Sequence, residues 1–228
     1  MSITWNGKTS DSIGVIVEKI PNRYIPTRRF SPQQVAGRNG NILLVDKSFP
    51  NVEQEYEVYL SAENQGLPVV ARACAEWLMA PSGYAELKDS YNTGIYREAY
   101  LMGGFDLENI LNKFGRCSIT FSCKPQKYLL TGTDSVNLTG GGTITNPTPF
   151  DARPIITVSG SGEIVVNGRS ILIQDTVSNF IINCETMEAT DNTLIYCLDF
   201  PVLSGGANTV TCDNTITALA MVPRWWTL

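Results

Sequence analysis

Two segments of the chain alternate apolar and polar residues with a period of two. In VEQEYEVYL, which begins at Val52, the apolar residues fall on one face and Glu53, Glu55 and Glu57 fall on the other. In RCSITFSC, residues 116–123, apolar and cysteine side chains alternate with polar ones. This period is typical of a β-strand with one face on a core and the other in water. Both segments are predicted to be half-buried strands.

One segment follows a helical period instead. GLPVVARACAEWLMA, residues 66–80, repeats its apolar residues three and four positions apart. Pro68 suits the first turn of a helix, and Pro81 follows its end. The pattern predicts one amphipathic helix laid against a sheet. Its core-facing residues are Leu67, Val70, Cys74, Trp77 and Leu78.

The stretch from about Arg29 to Ser48 has the pattern of a long hairpin. Two strand-like runs, RRFSPQQV and NILLVDKSF, flank the turn-forming residues AGRNGN. Residues 42–45 are four consecutive apolar residues, more than one buried strand face can use. Their outward members would be exposed in a monomer, so we predict that a neighbouring subunit covers them. The residues predicted to form this contact are Val35, Arg38, Asn39, Asn41, Ile42 and Leu44.

The second half of the chain is predicted to form many short strands. Gly160-Ser161-Gly162 and Asn167-Gly168 are turn signals that separate them. Before them lies TGTDSVNLTGGGTITNPTPFDARP, residues 131–154, whose composition predicts a linker or an open sheet edge. We therefore predict a first domain over residues 1–130, with mixed strands and one helix. A second domain over residues 131–228 is predicted to be a β-sandwich or barrel.

Gly205 and Gly206 precede a strand-like run that begins at Asn208. A phosphate-binding loop would need a helix after the glycines, because the amides at a helix N-terminus bind the anion. Here the alternating run NTVTC follows. We interpret the glycines as a turn with positive φ angles, which Asn208 stabilises through side-chain bonds to the backbone. A ligand-binding loop is the less favoured alternative.

Composition narrows the chemistry that the protein can perform. The chain has 228 residues, of which 17% are charged, and a net charge of −5, which argues against disorder and against non-specific nucleic-acid binding. It has no histidine, so Ser-His and Cys-His nucleophile pairs and His-ligated metal sites are excluded. Its six cysteines form no CxxC pair and are interpreted as buried apolar side chains. No signal peptide and no membrane span is predicted, so we expect folding in a cytosol.

The glutamates at positions 53, 55 and 57 are the remaining candidates for catalysis. A glycosidase needs two carboxylates about 5 to 10 Å apart in a cleft. The alternation of this strand places all three glutamates in water, which favours a solvated acidic face. No Walker loop, EF-hand loop or nucleophile elbow occurs. The sequence therefore predicts no enzyme, no cofactor and no bound metal.

Several stretches, in this order, resemble the distal tail protein (Dit) family of long-tailed, non-contractile bacteriophages and their prophages. They are the WNGK-to-IGVIV opening, GRNGNILLVDKSF near residue 40, ITNPTPFDARPIITVSGSGEIVVNG, and FPVL with GGAN and the closing VPRWW. Each motif alone is a strand-and-turn pattern. The order and spacing of the motifs, over nearly the whole chain, are more specific for the family than any single motif.

The resemblance implies a mainly β fold of two β-sandwich-type domains. The N-terminal domain would form a ring and carry one helix and a long belt hairpin, and the C-terminal domain would be a galectin-like sandwich. Six copies would ring the distal end of the tail tube and join it to the baseplate or tip, as an assembly hub with a central channel for tape measure protein and DNA. The protein would be located at the virion tail tip after assembly in the host cytoplasm.

The same resemblance implies the partners. They are further copies of the chain, the major tail tube protein, the tape measure protein and a tail-tip or tail-associated protein. A receptor-binding protein is left open as a further partner, and neither a membrane nor a specific nucleic-acid sequence is expected to bind.

A lectin-like adhesion module at the tail tip is the alternative function, because galectin-like sheets suggest sugar binding. Fold alone does not imply function, however, and the sugar site of galectins relies on a histidine that this chain lacks. Tyr196, Trp225 and Trp226 are the aromatic side chains that could stack on a sugar. For Trp225 and Trp226 we favour packing between the domains, with the last residues packed back on the first domain.

Overall fold

A computed structural model describes residues 1–22, 24–46, 48–62, 66–104, 108–111 and 114–228. The chain divides into two compact units, Met1–Lys127 together with Leu228, and Tyr128–Thr227. Within the described residues, strands form two curled sheets and a separate hairpin, and there is one α-helix. The mainly β fold class that the sequence predicts is confirmed.

The first part of the chain forms a sheet, a helix and the hairpin. Its main sheet has the strand order β2-β1-β7-β8-β10-β6-β3, with β9 paired to β10, while β4 and β5 pair only with each other. The bounds are β1 Ile3–Trp5, β2 Lys8–Thr9, β3 Val15–Val17, β4 Phe30–Gln34, β5 Asn41–Val45, β6 Val52–Ser61, α1 Leu67–Met79, β7 Ala85–Asp89, β8 Ile95–Leu101, β9 Glu108–Leu111 and β10 Phe114–Leu129.

Helix α1 packs its apolar stripe against the main sheet. Its buried residues are the five that the helical period predicts: Leu67, Val70, Cys74, Trp77 and Leu78. They share one core with Tyr56 of β6 and Phe121 of β10. The Trp5 ring lies 4.8 Å from that of Phe121. On β6, every second residue from Val52 to Leu60 is buried and the three glutamates face outward, so the predicted alternation is confirmed.

The second unit is built around two long paired strands, β13 and β14. The strand order is β11-β18-β13-β14-β15, with β17 paired to β12 and β13, and β16 paired to β14. The bounds are β11 Val136–Asn137, β12 Gly142–Asn146, β13 Ile155–Val166, β14 Arg169–Asn183, β15 Glu188–Ala189, β16 Ile195–Tyr196, β17 Gly206–Cys212 and β18 Ile216–Val222. The last strand, β19 Trp226–Thr227, pairs with β10. Ile156, Ile164, Ile171 and Met221 are fully buried in its core.

The prediction of a turn at Gly160-Ser161-Gly162 is wrong. These residues lie inside β13, and the register of β13 against β14 shifts at both glycines. Gly160 has φ +111, and a Cβ atom there would lie 2.3 Å from the Thr215 carbonyl oxygen. The glycines therefore allow bulges within one strand and the close approach of a neighbouring backbone.

Residues 131–154 form strands at the sheet edge, which is the second of the two predicted alternatives, and not a linker. They contribute β11, which pairs with β18, and β12, which pairs with β17. Leu138 and Ile144 from this segment are buried in the second core. The turn-rich composition reflects the tight connection between these two short strands, where Gly140 and Gly141 adopt positive φ angles.

Candidate functional site

The β4–β5 hairpin pairs with neither of the two sheets. Its strands pair antiparallel from Phe30 with Val45 to Gln34 with Asn41. The connecting loop adopts positive φ at Gly37 (+78°) and Gly40 (+81°), which accounts for glycine at both positions.

Every residue of this hairpin from 30 to 45 is exposed. The six residues predicted to form a subunit contact all lie on it, three in the loop and three on β5: Val35, Arg38, Asn39, Asn41, Ile42 and Leu44. Leu44 exposes 55% of its surface and Ile42 exposes 37%. The structure thus brings the predicted contact residues together on one solvent-exposed arm.

Both faces of the hairpin carry apolar side chains. Residues paired across an antiparallel ribbon share a face. Phe30 with Val45 and Pro32 with Leu43 make one face apolar. Ile42 and Leu44, paired with Gln33 and Ser31, are the apolar residues of the other face.

The prediction of contact residues omitted Phe30, Leu43 and Val45, which expose 54%, 56% and 52% of their surface. The alternation of faces along the apolar run at residues 42–45 was the signal that could have identified Leu43 and Val45. Positions 43 and 45 lie on the strand face opposite to positions 42 and 44.

Interactions at the base of the hairpin hold its two ends together. The Arg29 N–H donates to the Ser48 carbonyl oxygen at 3.3 Å, and the Arg28 guanidinium lies 5.3 Å from the centre of the Phe49 ring. The Ser48 backbone N–H also donates to the Asp46 carboxylate at 3.0 Å. Hydrogen bonds from Ser48, its backbone N–H first, lower the pKa of the Asp46 carboxyl.

The hairpin is basic, although the protein is acidic. Over residues 24–46, three arginines (Arg28, Arg29 and Arg38) and one aspartate (Asp46) give a net charge of +2. The whole chain has a net charge of −5. Because all four charged residues are exposed, the hairpin presents a positive surface to solvent.

The first unit also contains a groove of about 580 Å³ along the outer face of β6, which we call the β6 groove. Its charged lining residues are Lys19, Glu53, Glu55 and Glu57, a net charge of −2, and Tyr24 lies on its wall. Lys19 forms an ion pair with Glu57 at 2.6 Å. The hydrogen bond and the charge of Glu57 raise the pKa of Lys19.

Strand β10, one of the two neighbours of β6, places no charged side chain opposite the glutamates of the β6 groove. Opposite Glu53, Glu55 and Glu57, β10 places Ser122, Thr120 and Ser118. The Ser118 hydroxyl donates to the Glu55 carboxylate at 2.5 Å. The cross-strand partners on β10 are thus hydroxyls, and the cation of this face is Lys19, which follows β3 and pairs with Glu57.

The Gly205-Gly206 segment is held by a buried amide. Asn208 is fully buried, and its side-chain nitrogen donates to the Gly206, Ser204 and Ile144 carbonyl oxygens at 2.8, 2.9 and 3.3 Å. Gly206 has φ +92, and a Cβ on Gly205 would lie 2.8 Å from the Thr148 carbonyl oxygen. The side-chain nitrogen of Asn208 therefore donates its hydrogen bonds to carbonyl oxygens of the protein itself.

The contacts described for the two tryptophans lie within the second unit. Trp225 is buried in its core and accepts a hydrogen bond at its carbonyl from the Leu129 N–H at 2.8 Å. Trp226 stacks on Phe150 with 4.4 Å between ring centres, and its indole N–H donates to the Asp151 carbonyl oxygen at 2.9 Å. These side-chain contacts are to residues of the second unit, and strand β19 pairs with β10. The packing of both tryptophans between the domains stays a prediction. Tyr196 is 60% exposed.

The described part of the chain has several buried thiols and no cluster of metal-ligating side chains. Burial raises the pKa of the Cys74 and Cys184 thiols to about 12. Among the described residues, no three Cys, Asp or Glu side chains are grouped so that they could hold a metal ion. Helix α1, the one α-helix among them, is too short to cross a membrane.

The geometry defines a class of protein: two β units, the first with a helix-covered sheet and an exposed basic hairpin. No family model and no curated protein matches the sequence. Among solved structures, the Dit protein of phage SPP1 matches with a TM-score of 0.70 and 13% identity, over 100% of this chain and 99% of that one. That protein is described as a paradigm of the hub adsorption apparatus in phages that infect Gram-positive bacteria. The match establishes a Dit-like fold, and at that level it confirms the resemblance seen in the sequence.

Proposed function

We propose that this chain is a structural virion protein, the distal tail protein of a long-tailed phage or prophage. Six copies form a ring at the distal end of the tail tube, join the tube to the baseplate or tip, and leave a central channel for tape measure protein and DNA. The observation that carries this proposal is the fold match to SPP1 Dit over the full length of both chains. The proposed role is structural and includes no catalysis.

The proposed ring-forming element is the β4–β5 hairpin. An arm with apolar side chains on both faces favours burial against another chain. A hairpin that contacts a different surface on its neighbour makes a head-to-tail contact, which closes into a ring or grows into a filament. The six-fold symmetry implied by the family favours the ring.

The proposed location and partners follow from the same role. The protein assembles in the host cytoplasm and is located at the virion tail tip. There it contacts the major tail tube protein, the tape measure protein and tail-tip proteins, and a receptor-binding protein is a further candidate partner. An acidic chain suits a DNA channel, because a basic lumen would retain DNA.

Removal of the hairpin tests the proposal. Wild-type protein is expected to show six-fold rings by electron microscopy and the corresponding mass by light scattering. Replacement of Ser31 to Ser48 with a short Gly-Ser turn is expected to give a folded monomer, with its strand signal retained in circular dichroism. An unchanged large oligomer would exclude the hairpin as the ring former. A wild-type monomer that binds a glycan array would favour the lectin alternative.

A further inference from the structure

We propose that Asn39, in the loop of the β4–β5 hairpin, is a site of spontaneous deamidation. The sequence has three Asn-Gly pairs, which begin at Asn6, Asn39 and Asn167. The fold holds the first and the third and leaves the second free to react. This inference does not depend on the proposed function, because the reaction needs only the folded subunit and water.

The reaction is a cyclisation followed by hydrolysis. The backbone nitrogen of Gly40 loses its proton to solvent and bonds to the side-chain carbonyl carbon (Cγ) of Asn39, and the side-chain nitrogen leaves as ammonia. Water then opens the succinimide ring at either carbonyl carbon, which gives aspartate or isoaspartate at position 39. Glycine favours the first step because it has no Cβ to hinder the attacking nitrogen. Nothing is oxidised or reduced, and the position gains one negative charge.

The loop leaves Asn39 free to reach the reactive geometry. Ring closure requires rotation about the Cα–C bond of the asparagine, which brings the next backbone nitrogen towards Cγ. Asn39 and Gly40 are exposed and lie in the loop that the Gln34–Asn41 pair closes. Within the described residues, neither the Asn39 side chain nor the Gly40 N–H forms a hydrogen bond. The rotation therefore breaks no hydrogen bond among these residues.

Asn167 is also exposed, but three hydrogen bonds hold it. Its side-chain oxygen accepts from the Thr209 N–H at 3.0 Å, and its side-chain nitrogen donates to the Asn208 side-chain oxygen at 2.6 Å. Its backbone N–H donates to the Thr209 carbonyl oxygen at 3.0 Å. Movement of the side chain towards the Gly168 nitrogen would break the first two bonds. We therefore expect Asn167 to react only when this turn opens.

Asn6 is held through its backbone. It forms a two-residue turn with Gly7, and Trp5 pairs with Lys8 directly across that turn. The φ angles of +49° at Asn6 and +77° at Gly7 are the positive values that such a tight hairpin turn requires. The Asn6 N–H also donates to the Glu86 carbonyl oxygen at 2.9 Å. Rotation about the Asn6 Cα–C bond would open a turn that is anchored at the buried Trp5.

Deamidation would change the surface of the hairpin and not its fold. The net charge of residues 24–46 would fall from +2 to +1. Isoaspartate would also lengthen the backbone of the loop by one methylene group. Because Asn39 is exposed and its side chain has no hydrogen bond within the described residues, neither product disturbs a buried contact.

Peptide mapping of the full chain after incubation at neutral pH and about 37 °C tests the assignment. Tandem mass spectrometry measures conversion at each Asn-Gly pair, and labelling by an isoaspartyl methyltransferase identifies isoaspartate. In the folded protein, Asn39 is expected to react at least about tenfold faster than Asn6 and Asn167, because these two must first open locally. In concentrated urea the three rates should agree within about threefold, since the protection is lost on unfolding.

Two controls isolate the chemistry at this position. Asn41 is exposed on the same hairpin but precedes Ile42, whose branched side chain hinders the attacking nitrogen, so it should stay unmodified. Asn39→Gln keeps an amide at position 39 but would need a larger ring, so this variant should lose the modification there. Conversion of Asn41 at the rate of Asn39 would show that the Asn-Gly pair does not select the site.

The experiment remains decisive if subunits cover the hairpin. The same rates are measured in a variant with Leu43→Ser and Leu44→Ser, which removes apolar side chains from the arm. Slow reaction of Asn39 in wild-type rings with rapid reaction in this variant as a monomer would support both proposals. If Asn39 reacts no faster than Asn167 in either folded protein, the deamidation proposal is wrong. A wild-type protein that is monomeric at every concentration and reacts at Asn39 would contradict only the proposed assembly.

Discussion

The side-chain amide of Asn167 donates a hydrogen bond of 2.6 Å to the side-chain oxygen of Asn208, 41 residues away. The Asn208 nitrogen in turn donates to three backbone carbonyl oxygens. One buried side chain therefore connects β12, β17 and the turn after β13. This network holds the bend at Gly205 and the start of β17 at Gly206, of which only Gly206 has the positive φ that was predicted for both glycines.

We expect Asn208→Asp to lower the free energy of unfolding of the second unit by about 3 kcal/mol. The substitution places a carboxylate oxygen against carbonyl oxygens at a fully buried site, where an unsatisfied polar group is costly. Urea denaturation followed by circular dichroism measures the change. Asn39→Asp, at the exposed tip of the hairpin, is the matched control. Equal stability of the two variants would rule out this role for the network.

A second network joins α1 to the first strand. The Trp77 indole N–H donates to the Trp5 carbonyl oxygen at 3.2 Å, and the Trp5 indole N–H donates to the Leu78 carbonyl oxygen at 3.2 Å. Trp77→Phe removes the indole donor of the Trp5 carbonyl at a buried site. We expect a loss of about 1 to 3 kcal/mol in the first unit. Tyr196→Phe, on an exposed ring, should leave the urea midpoint unchanged.

The local hydrophobic pattern was sufficient to predict α1 and the half-buried β6. Both predictions rest on side-chain periodicity within one segment, and the helix bounds differ from the prediction by one residue at each end. The bulges at Gly160 and Gly162 could not be predicted in this way. They depend on the close approach of Thr215, more than fifty residues away. A glycine pair has the same local signature in a turn and in a bulge.

The candidate site also combines a feature that one segment predicts with a feature that only the folded chain shows. The exposed arm follows from four consecutive apolar residues, a feature of one short segment. The β6 groove requires Lys19 and Tyr24 to lie beside Glu55, which only the folded chain establishes. The arm could therefore be predicted from the sequence, whereas the acidic row has the sequence pattern of an ordinary solvated face.

Buried thiols should make the protein sensitive to alkali. Burial raises the pKa of Cys74 to about 12, whereas an unfolded thiol ionises near its ordinary pKa of about 8.5. Above that pH the unfolded chain loses the proton first, so the free energy of unfolding should fall as pH rises from about 9 towards 12. Urea midpoints at pH 8 and pH 10.5 measure the fall, and Cys74→Ala should reduce it. An equal fall in this variant would assign the effect to other groups.

The second unit should fold alone if it begins at Tyr128. The Leu129 N–H bonds the Trp225 carbonyl oxygen, so a fragment that starts at residue 131 loses this hydrogen bond at the edge of its core. We expect the fragment 128–228 to unfold cooperatively and to be about 1 kcal/mol more stable than the fragment 131–228. Thermal unfolding by circular dichroism compares the two. An unfolded longer fragment would show that the second unit depends on the first.

Removing apolar side chains from the hairpin should affect assembly without affecting the fold. Leu43→Ser with Leu44→Ser changes residues that are more than half exposed in the monomer. We therefore expect a change within about 0.5 kcal/mol in the free energy of unfolding, since such substitutions remove little buried contact. In a ring these side chains would be covered by the neighbouring subunit, so light scattering should show a shift to monomer. Leu172→Ser with Ile181→Ser removes comparable exposed apolar surface from the second unit and should leave the oligomer intact. Loss of assembly in this control and retention in the hairpin variant would move the subunit contact from the arm to the outer face of β14.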